Sequence, residues 1–407
     1  MPVYGRFNKN KNKLILIMKK AAIYDPYLDT LGGGERYCLT VAEILSKNGY
    51  HVDLLWDKDS DILNKAETRF SLDLSSVKIT NDFFKQSPTN IDLFENDLQT
   101  AKKYSKTIPS PNLLQKITNF LIKYKNTQKY DLIFFLSDGS IPLLFSKKNF
   151  LHLQVPFHYH TNTASKIKNK IKFLFISKTI CNSKFTQKFI EKYYDTSTFL
   201  LYPPVDIEKL SSDSSKENII LSVGRFDNVM NAKKQDILID AFKKINHHSS
   251  NKNWKLVLAG GSLQSIANNS YLNYLKNKSQ GLPIDFIINP SFDELKIIYQ
   301  KSKIYWHAAG YDVDQDTQPE FTEHFGMTVV EAMASGAVPI VVNKGGLPEI
   351  ISDNIDGFLW NNIDELVSKT NLLIASPKLL SEMQIASQKK SKQFSKDNFQ
   401  NNFLKLL

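Results

Sequence analysis

The stretch from Glu320 to Leu359, EFTEHFGMTVVEAMASGAVPIVVNKGGLPEIISDNIDGFL, constrains the chain more than any other. Phe325-Gly326-Met327-Thr328 reads as the start of a helix running roughly over Thr328–Ser335, with Gly336 as its left-handed stop. Ala337–Val342 (AVPIVV) is a short apolar run that suits a parallel strand buried on both faces. Asn343-Lys344-Gly345-Gly346 then breaks into a loop, and Pro348 sits near the first turn of the next helix. Such a succession of helix, buried strand and glycine loop belongs to an open α/β sheet, which binds ligands at the carboxyl ends of its strands.

The same residues suggest what that ligand carries. Free N–H groups at a helix start, with the macrodipole behind them, bind anionic phosphate. Gly326 lets the phosphate come close to the backbone. Glu323 lies just before this helix and Glu331 on its first turns, so both can face one cleft. Carboxylates accept hydrogen bonds from hydroxyls, and paired hydroxyls are what riboses and hexoses offer.

With these residues in view, the stretch resembles the donor-site signature of the family 4 glycosyltransferases (glycosyl transferases group 1), of the bacterial polysaccharide and lipid-linked glycan type. Glu323, Glu331, Gly345, Gly346, Pro348 and Glu349 carry the resemblance, with the HFG start, the EAMASG helix and the GGLPE loop in order. The family's enzymes retain anomeric configuration and have the GT-B fold. The resemblance therefore implies two Rossmann-like, doubly wound parallel-sheet domains facing each other across a cleft. The EHFGMTVVEAMASG segment also looks like that of the dolichol-pathway α-1,2-mannosyltransferases, which use GDP-mannose.

The rest of the chain accommodates that architecture. Its 407 residues suit two domains. Strand and helix patterns alternate twice, with a polar break at 206–216. The expected layout is an N-terminal leader or extension at 1–18, ahead of an internal start at Met18. An acceptor-binding domain follows at 19–205, a linker at 206–216, and a nucleotide-sugar domain at 217–377. A final helix, about 378–405, crosses back toward the first domain, as it does in the resembled fold. Residues 58–110 carry no readable pattern. Cys38 and Cys181 are far apart and read as reduced structural thiols in a cytoplasm. No run reaches the roughly 18 apolar residues of a membrane span.

Four further places carry chemistry. Gly32-Gly33-Gly34-Glu35, between the first strand and its helix, lets the backbone approach a phosphate or sugar. It lacks the GxGxxG pattern of nicotinamide sites. In the resembled family this loop lies over the donor diphosphate, which marks Gly33 and Gly34 as donor-binding. Val223-Gly224-Arg225-Phe226, followed by Lys233-Lys234-Gln235, brings cations toward a diphosphate leaving group. The family pattern is Gly-Arg, then Lys-Gly before a helix. Lys233 aligns with its lysine and Lys234 with its glycine, and this departure leaves the choice between the two lysines open. In FLHLQVPFHYH, His152 resembles the family's histidine under the donor sugar, with His158 and His160 as rivals. The acidic loop Gly310–Glu320 lacks the glycine and terminal glutamate of a calcium loop and reads as a substrate-shaping lid.

Together these give a catalytic set of His152, Arg225, Lys233 and Glu323. The donor set is Gly33, Gly34, Lys234, Gly326, Met327, Thr328 and Glu331, with base contacts from the loop around Ile288–Phe292. No metal and no cofactor is expected; the substrate is a UDP- or GDP-sugar. The acceptor is a glycan or a polyprenyl-linked one. The alternatives are a nucleotide-sugar epimerase or phosphorylase on the same scaffold, or a catalytically silent nucleotide-sugar-binding protein.

Charge bears on partners. Residues 101–200 hold 17 lysines against four acidic residues, while the whole chain is only +11. No nucleic-acid recognition motif accompanies this surplus. Asn112–Lys125, with apolar residues in a helical stripe, and SKIKNKIKFLF both mix lysines with apolar residues, a pattern that suits an anionic membrane surface. The expected place is the cytoplasm, peripheral at the inner face of the cell membrane.

Overall fold

The structure, a computed structural model, describes residues 18–84, 112–156, 163–211, 215–227, 232–247, 252–262 and 266–407. Of the leader expected at 1–18, residues 1–17 lie outside the described residues, as do His158 and His160. The described chain forms two compact units. One comprises 18–84, 112–152 and 167–179; the other comprises 153–156, 163–166 and the described residues from 180 on.

Seven strands build the first sheet: β1 Lys19–Tyr24, β2 Tyr50–Leu55, β3 Val77–Thr80, β4 Leu132–Leu136, β5 Lys148–Leu153, β6 Lys178–Cys181 and β7 Phe199–Leu200, in the order β3-β2-β1-β4-β5-β6-β7. Its helices are α1 Gly33–Lys47, α2 Ile62–Phe70, α3 Leu113–Thr127, α4 Thr163–Phe173 and α5 Lys184–Tyr194, followed by the short α6 Ile207–Leu210. Central β4 (LIFFL) is buried along its whole length, as a parallel strand covered on both faces must be. α1 forms because Tyr37, Cys38, Val41 and Leu45 recur on one face and are buried. Two expectations change here. Gly33 and Gly34 are the first two residues of α1 rather than loop residues, and the Glu35 carboxylate accepts the Gly32 N–H at 2.6 Å. The unreadable region contains α2 and β3, a short helix and a four-residue strand whose pattern is too brief to stand out.

Six strands build the second sheet: β8 Glu217–Val223, β9 Lys255–Gly260, β10 Ile284–Ile288, β11 Ser302–His307, β12 Val338–Val342 and β13 Phe358–Trp360, in the order β10-β9-β8-β11-β12-β13 and all parallel. Its helices are α7 Gln235–Asn246, α8 Ile266–Lys278, α9 Phe292–Lys301, α10 Met327–Ala334, α11 Leu347–Ile350, α12 Ile363–Ala375, α13 Pro377–Ser391 and α14 Lys396–Leu404. The apolar run read from the sequence is β12, buried at every residue. At about 1.5–3 kcal/mol per buried Val or Ile, this strand alone contributes several kcal/mol to the core. Strand order reverses between β8 and β11, so the crevice at their carboxyl ends is the topological switch point. Each of the two sheets is thus a doubly wound α/β sheet.

The final helix is not continuous. A 3-10 turn at Lys392–Phe394 separates α13 from α14. Phe394 turns inward against the rings of Tyr202 and Phe325, at 5.3 and 5.4 Å, and the Ser395 hydroxyl restarts the helix by accepting Asn398 N.

Candidate functional site

The residues of the second unit converge at the carboxyl ends of β8 and β11. Gly224 and Arg225 follow β8, and the chain returns through Lys233 to α7. The backbones crowd here: a Cβ on Gly260, at the end of β9, would sit 2.0 Å from Gly224 O. The half-turn is tied down by buried Gln235, whose amide donates to Arg225 O at 2.9 Å.

Lys233 Nζ donates to Glu323 Oε2 at 2.6 Å, and these side chains are only 17% and 12% exposed. His307, the last residue of β11, places Nε2 3.0 Å from the same oxygen, off the line of an ideal hydrogen bond. Its Nδ1 accepts Ala309 N–H at 3.3 Å, which leaves the ring proton on Nε2, facing Glu323. Burial alone would raise the Glu323 carboxyl; the Lys233 charge and the His307 contact outweigh it and hold the group well below the usual carboxylate range. Burial holds His307 below its ordinary value against the pull of Glu323, so the ring is neutral at neutral pH. Burial likewise pushes neighbouring His324 down to about 4.

The glycine loop after β12 fixes this carboxylate from behind. Gly346 N donates to Glu323 O at 2.8 Å. Gly345 has φ +62°, and a Cβ there would meet Glu323 O at 2.1 Å, so only glycine fits. Gly326 caps α10 at φ +109°, and Met327 and Thr328 open the helix half-buried. The Thr328 hydroxyl accepts from buried Tyr305 OH at 2.9 Å. Glu331, one turn further, accepts from Tyr299 OH at 3.0 Å.

Lys233 and Glu323 are therefore joined directly, and Gly326, Met327, Thr328 and Glu331 lie on the adjoining helix start. Arg225 borders the same strand edge but is 61% exposed and paired with Asp227 at 3.3 Å. The two lysines part company. Lys233 reaches the carboxylate, whereas Lys234 caps α7 in the left-handed region at φ +53°, the conformation that a glycine at this position would take at no cost. Glu349, of the GGLPE loop, is used elsewhere in this unit. It accepts Lys184 N at 2.8 Å, Phe185 N at 2.6 Å and Tyr202 OH at 3.1 Å, which caps the start of α5. The acidic loop leans on the site through Gln315, which accepts Gly345 N at 2.8 Å.

In the first unit, His152 is the penultimate residue of β5, buried, with its ring stacked on Tyr37 of α1 at 4.1 Å. The helix opened by Gly33 and Gly34 thus carries the ring against which His152 rests.

Sequence reading did not single out His307, Tyr299, Tyr305 or Gln235. A signal for His307 was available: it is the polar residue closing the apolar strand β11, next to the switch point. The two tyrosines and the glutamine act through contacts across β8, α9 and β11, which have no trace in local pattern.

Residues 206–390 match the family described as glycosyl transferases group 1. The chain is 31% identical over 230 residues to a GDP-Man:Man(3)GlcNAc(2)-PP-Dol alpha-1,2-mannosyltransferase of Dictyostelium discoideum, a match covering 53% of this chain and 43% of that protein. The chain thus spans under half the length of that relative. The fold is that of a glycosyltransferase from Rickettsia africae (TM-score 0.69, 18% identity, 96% of this chain and 97% of that one). Anabaena HepE, solved in complex with UDP and glucose, is similar too (TM-score 0.63, 17% identity, 95% and 98% covered). Both alignments span nearly the whole chain, so the GT-B fold extends over both sheets.

Proposed function

We propose that the chain, whose residues 206–390 match the glycosyl transferases group 1 family, is a retaining glycosyltransferase. It moves a hexose, mannose-like or glucose-like, from a nucleotide diphosphate sugar to a glycan or lipid-linked acceptor. The observation that carries this reading is the Lys233–Glu323 pair at the switch point, beside the open helix start of α10.

The bond between the anomeric carbon and the diphosphate breaks, and the nucleoside diphosphate leaves with the electron pair. Lys233, Arg225 and the N–H groups at Met327 and Thr328 meet the negative charge that develops on it. These fixed positive groups supply the charge that a metal ion would otherwise bring, so the reaction runs without one. Glu323 is too weak a base to take a proton, given its depressed ionisation. Its carboxylate suits holding the sugar's hydroxyls instead, and Glu331 suits the ribose. The acceptor oxygen attacks the face that the leaving group vacates, and its proton passes to the departing diphosphate. Configuration at the anomeric carbon is thereby retained.

The Dictyostelium relative's name favours GDP-mannose, and the UDP and glucose of the Anabaena complex favour a UDP-sugar. A lipid-linked acceptor would place the reaction on a membrane, with the protein peripheral at its cytoplasmic face. Screening UDP- and GDP-sugars for thermal stabilisation and for turnover with Glu331→Ala and Arg225→Ala tests the reading. A cognate donor turned over by both variants as fast as by the wild type would refute it. Consumption of donor without acceptor would indicate an epimerase, and binding without any turnover a silent binding protein.

A further inference from the structure

The basic face of the first unit carries a second feature that transfer chemistry does not use. Eleven of the twenty exposed large apolar side chains among the described residues lie in 113–124 and 167–175. Seven are on α3, where Leu113, Ile117, Phe120 and Tyr124 recur at helical spacing, and only Thr127 of that helix is buried. Leu113 and Leu114 are 75% and 73% exposed, and Leu174, just past α4, is 83% exposed. With side chains of about 150–250 Å² each, such exposures leave on the order of 1,000 Å² of apolar surface in water. The largest patch on a typical monomer is roughly 300–600 Å².

The two segments form one face. Phe145 bridges them, with ring centroids 5.7 Å from Phe120, 4.9 Å from Tyr124 and 5.3 Å from Phe175. Lys172 is held below its ordinary value by burial and by the nearby charges of Lys168 and Lys123, so lysines of both helices crowd together. Lys116, Lys125, Lys168 and Lys170 are exposed around the apolar stripe, and neither 112–129 nor 163–178 contains an acidic residue.

Charge identifies the occupant. A second copy docking on this face would bring lysines against lysines. An anionic lipid surface offers acyl chains to the apolar stripe and phosphates to the lysines. We infer that α3 and residues 167–175 form a docking face for an anionic bilayer, lying in its interface plane rather than spanning it. This inference names the surface on which a lipid-linked acceptor would be met, and rests on the transferase reading only for that purpose.

Vesicles of phosphatidylglycerol mixed into phosphatidylcholine, against phosphatidylcholine alone, provide the test with the full chain. Binding should be at least tenfold tighter to the anionic vesicles and should weaken as salt is raised. Lys125→Gln or Lys168→Gln should each weaken it about fivefold, the equivalent of about 1 kcal/mol per surface lysine. Leu121→Glu with Ile171→Glu should abolish it and leave the melting temperature and nucleotide binding unchanged. Equal binding to both vesicles overturns the inference. So does a wild-type dimer that the double glutamate variant dissociates, which would give the face to a second copy. Early melting of that variant also overturns it, since the face would then be internal packing. Failure of the transferase reading would be seen separately, as vesicle binding intact with no nucleotide sugar bound or turned over.

Discussion

Removing either partner of the Lys233–Glu323 pair should be costly in a way that removing both is not. The two groups meet at 2.6 Å with side chains 17% and 12% exposed, so the energetics are those of a buried pair. Lys233→Met leaves Glu323 charged in a desolvated place with only His307 near it, and Glu323→Gln leaves the ammonium without its counter-ion. Breaking a buried pair costs about 3–5 kcal/mol. Taking about 3 kcal/mol, each single variant should melt roughly 6–12 °C lower, at about 2–4 °C per kcal/mol for a unit of this size. The double variant Lys233→Met/Glu323→Gln carries no unpaired charge and should recover to within about 1 kcal/mol of the wild type. It should nevertheless be inactive, because the groups proposed to meet the diphosphate and the sugar are gone. Thermal and urea unfolding at pH 7.5, where Glu323 is ionised, measure the cycle; nucleotide-sugar turnover measures the second half. Single variants costing under about 1 kcal/mol would class the pair with exposed salt bridges. Additivity of the double variant within about 0.5 kcal/mol would show no coupling. Either result refutes the reasoning.

Three further outcomes follow from named contacts. Lys234→Gly relieves a left-handed residue and should be neutral or stabilising by up to about 1 kcal/mol, with activity kept, whereas Lys233→Gly should lose activity; melting and turnover of the two variants check this. Glu349→Ala removes the acceptor for two N–H groups at the start of α5 and should cost about 1–2 kcal/mol, read by urea unfolding, with Glu349→Gln intermediate. His307 and His324 are both held below their ordinary value of 6.5 by burial, His324 at about 4. The unfolded chain therefore binds more protons than the fold between these values, so stability is present above about pH 6.5 and is lost as pH falls toward about 4. Melting temperatures across that range should fall steeply for the wild type and less steeply for His324→Asn; parallel curves would remove His324 from the account.

Local sequence determined a great deal here, because the determinants are local. AVPIVV had to be a buried strand, since a continuous apolar run suits a strand covered on both faces. Gly326, Gly336 and Gly345 mark turns whose positive φ angles other residues adopt only with strain. The spacing of Glu323 and Glu331 placed both on either side of one helix start. The α3 stripe was legible as a helix, though not that it lies almost wholly in solvent. Other features escaped the sequence for physical reasons. The break at Phe394 depends on rings from Tyr202 and Phe325, far away in the chain. The choice between Lys233 and Lys234 rests on a backbone angle that residue type does not reveal. Glu349 carries the family's mark, yet tertiary contact gives it to the start of α5. His307 could meet Glu323 only once β8 and β11 lay side by side. The ionisation of that carboxylate depends on burial, on the Lys233 charge 90 residues away in sequence and on the His307 contact 16 residues away. Residue spacing fixes which groups share an element; desolvation and Coulomb interaction arise only when elements pack.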